Sequence, residues 1–164
     1  MAVSFKIIDR DTGWAALFKN IAELKDARLD VGVLDDDKGN AMPYENSALR
    51  VVEVAAINEF GTDDGHIPAR PFVRPVFDAQ REKAVSMLSP LLFDVLKGRK
   101  TLQGALGIVG EMLSQAMKMH IRSGAVTPAN RPSTVAHKGS DVPLLDEGFL
   151  VDAIDFRVTS GKDE

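Results

Sequence analysis

The three histidines are the side chains of this sequence best suited to acid–base or metal chemistry. They are His66, His120 and His137, and none has the H-E-x-x-H or H-x-H spacing that brings two imidazoles to one metal ion. His66 directly follows the Asp-Asp-Gly stretch at 63–65, so one interpretation is a carboxylate–histidine cation site. The favoured interpretation is a turn whose polar side chains hydrogen-bond the local backbone.

A second acidic group is the run at 35–37, which contains three aspartates. Carboxylates in a row can bind a cation, but the spacing of a calcium loop does not follow them. The run therefore favours a solvated turn over a metal site.

Motifs for nucleophilic catalysis and phosphate binding are missing from the sequence. It contains no cysteine, no G-x-S-x-G elbow and no G-x-x-x-x-G-K-[ST] loop. The stretch GALGIVG at 104–110 is glycine-rich, but it lies inside a helical pattern and follows no predicted strand. We therefore predict no catalytic residue, no cofactor and no metal, and an enzyme is disfavoured.

Length and composition are those of one globular domain. The chain has 164 residues, of which 45% are hydrophobic and 27% are charged. It has no apolar run of about 18 residues, which a membrane span requires, and its N-terminus does not resemble a secretory signal. The net charge is 20 − 24 = −4, which disfavours tight binding to duplex DNA.

Hydrophobic periodicity places the first elements. Val3, Phe5 and Ile7 alternate and predict a strand, and apolar residues at helical spacing from Trp14 to Leu24 predict a helix. Residues 29–33 alternate again and predict a second strand. The following stretch, 35–47, is predicted to be a long loop or the tip of a hairpin.

Three helices are predicted in the middle of the chain. The first covers 48–60 and ends at Gly61, and the second begins near Phe72 and stops at Gly98. Within the second, Ser89-Pro90 predicts either a kink or the start of a new helix. The third begins at Thr101, and its glycines at positions 104, 107 and 110 indicate close packing against another element, although a merely weak helix is the alternative.

The C-terminal part is predicted as a connector, a short helix and a strand. Residues 123–143 are rich in proline and glycine, which favours an irregular connector, with a long loop over 124–142. Asp146 is positioned to cap a short helix, and alternation over 154–158 predicts a closing strand. The fold class that follows is α+β: a single domain, 1–164, with a small, mostly antiparallel sheet and several helices, two of them long.

The stretch from Glu59 to Asp78, EFGTDDGHIPARPFVRPVFD, is unusually stiff, aromatic and basic for a loop. Its prolines restrict the backbone, so Phe72 and the guanidinium groups of Arg70 and Arg74 would lose little entropy on binding a partner. Phenylalanine and arginine are enriched in protein–protein interfaces. The alternative is that Phe72 packs the following helix onto the core, and both roles can coexist.

Two blocks of this sequence together resemble a family of tailed-phage proteins. INEFGTDDGHIPARPFVRPVFD, at 57–78, resembles the E-x-G-T and I-P-A-R-P-F pattern of virion morphogenesis, tail-completion and neck proteins. PSTVAHKGSDVPLLDEGFLVDAIDFRV, at 132–158, resembles the K-G and P-L-x-D-T-G-x-L segment of the same family. One departure is Glu147, which stands where that family has threonine.

The resemblance implies a non-enzymatic structural protein of the head–tail neck or the tail end. Such a protein would form a ring, expected to be a homo-hexamer, next to other neck, connector and tail proteins. DNA would pass through the ring without sequence-specific binding, and no membrane would be involved. The protein would be found in the virion, and in the host cytoplasm during assembly.

Site residues and alternatives complete these expectations. We predict subunit or partner contacts at Arg70, Phe72, Arg74, Asp146 and Leu150, and loop-shaping roles for Gly61, Pro68, Pro71 and Gly148. The alternatives are a tail terminator ring, a DNA-binding or packaging accessory factor, and a hydrolase that acts during assembly.

Overall fold

The computed structural model describes residues 13–35, 44, 48–146 and 148–159, without the side chains of His137 and Lys138. Its elements in chain order are α1 (Trp14–Lys25), β1 (Arg28–Val33), α2 (Val51–Phe60), α3 (Arg74–Leu96), α4 (Leu102–Arg122), α5 (Pro132–Lys138), α6 (Phe149–Asp152) and β2 (Ile154–Thr159). The α+β class is confirmed. The strand predicted at 3–7 and most of the loop predicted at 35–47 lie outside the described residues.

The sheet within the described residues is an antiparallel pair of β1 and β2. Leu29 lies opposite Val158, and Val33 lies opposite Ile154. Because side chains alternate along a strand, this register puts the apolar residues of both strands on one face, and α4 packs there. The two strands predicted at 29–33 and 154–158 are confirmed.

α4 is the central helix of the fold and has the largest buried set of residues among the described helices. It begins as predicted, since the Thr101 hydroxyl accepts the Gly104 N–H at 3.1 Å. A Cβ added at Gly110 would lie 2.5 Å from the Phe156 ring, whereas one at Gly107 would meet that ring at an ordinary 3.7 Å. Close packing therefore explains the glycine at 110 but not the one at 107.

α3 continues through Pro90 as one helix of 23 residues. Of the two alternatives predicted at this proline, a kink or a new helix, the new helix is therefore wrong. Proline removes a backbone donor and costs about 3 kcal/mol in a helix interior, but the apolar face around it packs against α4 and α1. The side chains on both sides of the proline join one buried cluster, through Leu88, Leu91, Leu92 and Val95. α3 ends at Leu96, with Lys97 as its C-cap, and Gly98 has φ +70°, which confirms the predicted stop.

The main core lies where α2, the start of α3, the end of α4 and α6 meet. Its buried members are Val51, Ala55, Phe72, Val76, Met117, Ile121, Val126, Leu150, Val151 and Ile154. A second cluster joins α3 and α4 beside α1. α1 lies where a helix was predicted but buries none of its residues.

Two predictions about the C-terminal half are wrong. The connector predicted as irregular contains α5, which has Pro132 in its first turn and ends at Gly139 with φ +71°. Asp146 does not cap α6, because that helix begins after Gly148, whose φ is +95°, and has no side-chain cap. The positive φ at Gly148 supports the loop-shaping role predicted for it. Within the described residues, no helix is both long and apolar enough to cross a membrane.

Candidate interaction site

The Glu59 carboxylate holds the start of α3. One oxygen, Oε2, accepts the backbone N–H groups of Phe72 at 2.7 Å and Val73 at 3.0 Å. The other, Oε1, accepts the backbone N–H of Arg74 at 3.2 Å and its side-chain Nε–H at 3.1 Å. Glu59 is only 5% exposed, so a buried acid of α2 satisfies donors that belong to the next helix.

This contact supplies hydrogen-bond acceptors that the residues just before α3 do not provide. The first turn of a helix leaves backbone N–H groups without partners, and the N-cap of α3 is Val73, whose side chain cannot accept a hydrogen bond. Burial alone would raise the pKa of the Glu59 carboxyl. The N–H groups of Val73, Phe72 and Arg74 and the Arg74 side chain outweigh that effect, so the pKa lies below its usual value and the group stays ionised.

The loop between α2 and α3 is held by hydrogen bonds between its own backbone and side-chain groups. Thr62 N–H donates to the Ile67 carbonyl at 3.0 Å, and His66 N–H donates to the Asp64 carboxylate at 2.9 Å. This is the turn that the sequence favoured at His66. Gly61 has φ +78°, and a Cβ there would lie 2.9 Å from the Ala69 nitrogen, which supports the loop-shaping role predicted for it.

The two arginines predicted for a partner contact mainly bind their own chain. Arg70 donates from Nε to the Pro128 carbonyl at 2.9 Å and so fastens the loop to the C-terminal connector. Arg74 lies beside Glu59, with its guanidinium carbon 5.3 Å from the centre of the Phe60 ring. Since the Arg74 side chain is still 62% exposed, it has room for a further carboxylate.

Phe72 and Leu150 are core residues, with exposed fractions of 1% and 3%. The prediction that they contact a partner is therefore wrong, because neither side chain reaches the surface. Phe72 has the alternative role, which is to pack α3 onto the core. Asp146 is exposed. Its contact with a partner stays a prediction, as does the stiffening of the loop by Pro68 and Pro71.

A groove of about 260 Å³ opens between β1, α2 and the start of α3. Apart from Glu59 and Arg74, its walls are formed by apolar residues and glycine: Val31, Gly32, Val33, Val52, Ala55, Ala56, Phe60, Phe72 and Val73. The Phe60 ring is 68% exposed, and Phe77, one turn further along α3, is 50% exposed. Neither ring was predicted as a contact residue, although both belong to the aromatic stretch at 59–78.

The groove is suited to binding apolar side chains. The carboxylate in its wall, Glu59, already accepts hydrogen bonds from the start of α3. Among the described residues, no group of three or more His, Cys, Asp or Glu side chains is placed to hold a metal ion. We therefore treat the groove, together with Phe60, Arg74 and Phe77, as the candidate interaction site.

Comparison of the chain with models of known protein families, with characterised proteins and with solved structures gave no match.

Proposed function

We propose that this protein is a structural component of a tailed-phage particle, located at the head–tail neck or the tail end. Copies of the chain would form a ring around the path of the DNA, next to other neck and tail proteins. A ring arises when one surface of each copy binds a different surface of the next copy and the rotation closes.

The observation that carries this proposal is the contact between the two blocks of family resemblance. Phe72 and Val76 come from the first block, and Leu150, Val151 and Ile154 come from the second. All five are buried in one core cluster. Segments separated by more than fifty residues thus form one structural unit, as expected if both belong to the same inherited fold.

The exposed apolar side chains support assembly of the protein with other chains. Large apolar side chains project from the described part of the chain: Trp14, Phe18, Phe60, Phe77, Phe93 and Met119 are each at least half exposed. Exposed apolar surface beside an apolar groove is typical of protein–protein contact sites.

The basic residues after α3 give little support to the alternative of a DNA-binding accessory factor. Arg99 forms an ion pair with Asp94, and the Lys97 ammonium lies 4.1 Å from the centre of the Phe93 ring. Affinity for duplex DNA grows with the number of phosphates neutralised, and two of these charges already have partners within the chain.

A pair of measurements on the purified chain tests the proposal against that alternative. Sedimentation velocity over a range of concentrations should show association to a closed oligomer. Fluorescence anisotropy with a labelled duplex should show no binding at physiological salt. A protein that stays monomeric and binds duplex at micromolar concentration, more weakly as salt rises, would favour the DNA-binding factor instead.

A further inference from the structure

Within the described part of the chain, one edge of β1 has no strand beside it. Among the described residues β1 pairs with β2 alone, so alternate residues of β1 direct their backbone N–H and C=O groups away from β2. The groove lies along Val31, Gly32 and Val33 of this strand. A sheet edge beside a pocket for side chains is the geometry by which an extended segment adds a strand to a sheet.

The groove defines the chemistry of that segment. Its walls at Val52, Ala55 and Ala56 accept apolar side chains, and a Cβ placed on Gly32 would meet no atom within 4 Å. Every second residue of an extended segment faces the same way, so the segment must be apolar at alternate positions. Because Arg74 lies at the groove, we expect a carboxylate on the same face of the segment as its apolar residues.

The N-terminal sequence has this pattern. Val3, Phe5 and Ile7 alternate with other residues, and Asp9 follows in the same phase. In an extended conformation, the first three present one apolar face and the carboxylate of Asp9 continues it. Residues 3–9 therefore match both the apolar walls and the arginine.

α1 indicates that this segment serves a second copy. Two of its apolar side chains are exposed, Phe18 at 63% and Ile21 at 46%. A side-chain contact holds it to α3, where the Asn20 Nδ2–H donates to the Val95 carbonyl at 3.0 Å. A helix with an uncovered apolar face, preceded by a segment of strand-forming pattern, is suited to act as an arm on a neighbouring molecule.

We propose that residues 3–9 of one copy add as a strand to the β1 edge of the next copy, with Phe5 in the groove and Asp9 at Arg74. This inference rests on the proposed function, because it describes how neighbouring copies of the ring are joined.

Disulfide cross-linking tests this directly, since the natural chain has no cysteine. The full-length variant Phe5→Cys with Ala56→Cys places one thiol on the arm and one on the groove wall. The matched control is Lys6→Cys with Ala56→Cys, whose arm thiol faces the opposite way. After mild oxidation, we expect linked dimers and larger species on a non-reducing gel, at least tenfold above the control.

The other outcomes overturn the inference. A disulfide within one chain, seen as monomer mass with both thiols consumed, would show that the segment covers its own groove. A yield equal to the control would show that it does not bind there. If the double variant does not fold, benzoylphenylalanine at position 56 in a mixture of ¹⁴N and ¹⁵N chains gives the same answer, because mass spectrometry identifies residues 3–9 and the copy that supplies them. If cross-links fail while the unmodified protein still forms a ring, only this inference is lost; absence of any ring removes the proposed function.

Discussion

The Glu59 carboxylate accepts the backbone N–H of Phe72 at 2.7 Å, and this hydrogen bond joins two residues that are thirteen positions apart in the sequence. The same carboxylate takes the place of the missing N-cap of α3. The proline-rich stretch between the two residues therefore holds α2 against α3. Arg70 attaches this stretch to the C-terminal connector through its hydrogen bond to the Pro128 carbonyl. The groove and the exposed Phe60 ring in its wall are open to a partner.

Removal of the Glu59 carboxylate should destabilise the fold. Glu59→Ala leaves several backbone N–H groups at a buried helix start without an acceptor, so we expect the free energy of unfolding to fall by about 2–4 kcal/mol. The control is Glu53→Ala, which should destabilise the fold clearly less, because the half-exposed Glu53 accepts a single backbone N–H, that of Arg50, at 2.7 Å. Urea denaturation measures both, and equal losses would contradict the role of Glu59.

Stability should also depend on pH through Glu59. The pKa of this carboxyl is lower in the folded protein than its usual value of 4.5, so ionised Glu59 contributes stability above that value. The contribution is lost as pH falls through the folded-state pKa. Urea midpoints between pH 7 and pH 3 should therefore decrease less steeply in Glu59→Gln than in the unmodified protein. Parallel curves would show that another group controls the acid response.

Replacing either of two glycines of α4 by alanine should change the stability of the protein, in opposite directions for the two positions. Gly110→Ala forces a Cβ to within 2.5 Å of the Phe156 ring and 3.0 Å of Leu29, and overpacking of this kind costs about 1–3 kcal/mol. Gly107→Ala meets that ring at 3.7 Å and gains up to about 1 kcal/mol of helix propensity. Thermal unfolding distinguishes the two variants. Stabilisation by Gly110→Ala would contradict the close contact of α4 with β2.

Arg70 should control the connector before α5. Its bonds to the carbonyls of Pro128 and Ala129 are lost in Arg70→Ala, so amide exchange should accelerate over 124–138 with little change in α4. Arg131→Ala is a neighbouring control that removes an exposed arginine from the connector itself. Unchanged exchange in Arg70→Ala would mean that the connector is held by its other contacts.

Local patterns in the sequence were enough to place most of the described elements. The strands at 29–33 and 154–158 follow from alternation, and the start of α4 follows from the capping residue Thr101. That these two strands pair with each other could not be predicted, because more than 120 residues separate them and alternation does not specify a partner. α5 was missed, although Pro132 at a first helical turn was a usable signal.

The candidate site was harder to predict because burial and hydrogen bonding depend on distant parts of the chain. Phe72 and Leu150 have side chains typical of interfaces as well as cores, and only the fold shows that each is buried. Glu59 left one signal: α3 begins at Arg74-Pro75 without a Ser, Thr, Asp or Asn before it, so its first N–H groups needed an acceptor from elsewhere. Which acid would supply that acceptor depended on how α2 packs.

The exposed rings of Phe60, in the groove wall, and Phe77, on α3, should matter for assembly and not for folding. Phe60→Ser and Phe77→Ser remove side chains that are 68% and 50% exposed, so unfolding free energy should change by less than about 1 kcal/mol. Association measured by sedimentation velocity should weaken at least tenfold in the double variant. The control is Phe93→Ser, an equally exposed ring far along α3. Equal association by all three proteins would exclude this surface from the contact.

The central claim is that copies of this chain form a ring at the neck or tail end of a phage particle. The most direct measurement is a density map of the intact particle produced by the genome that encodes the chain, into which residues 48–146 are fitted as a rigid body. We expect a closed ring of copies around the DNA path between head and tail or at the tail end, with the groove of each copy against its neighbour. A map of complete particles that lacks the chain, or that shows it away from the DNA path, would contradict the claim.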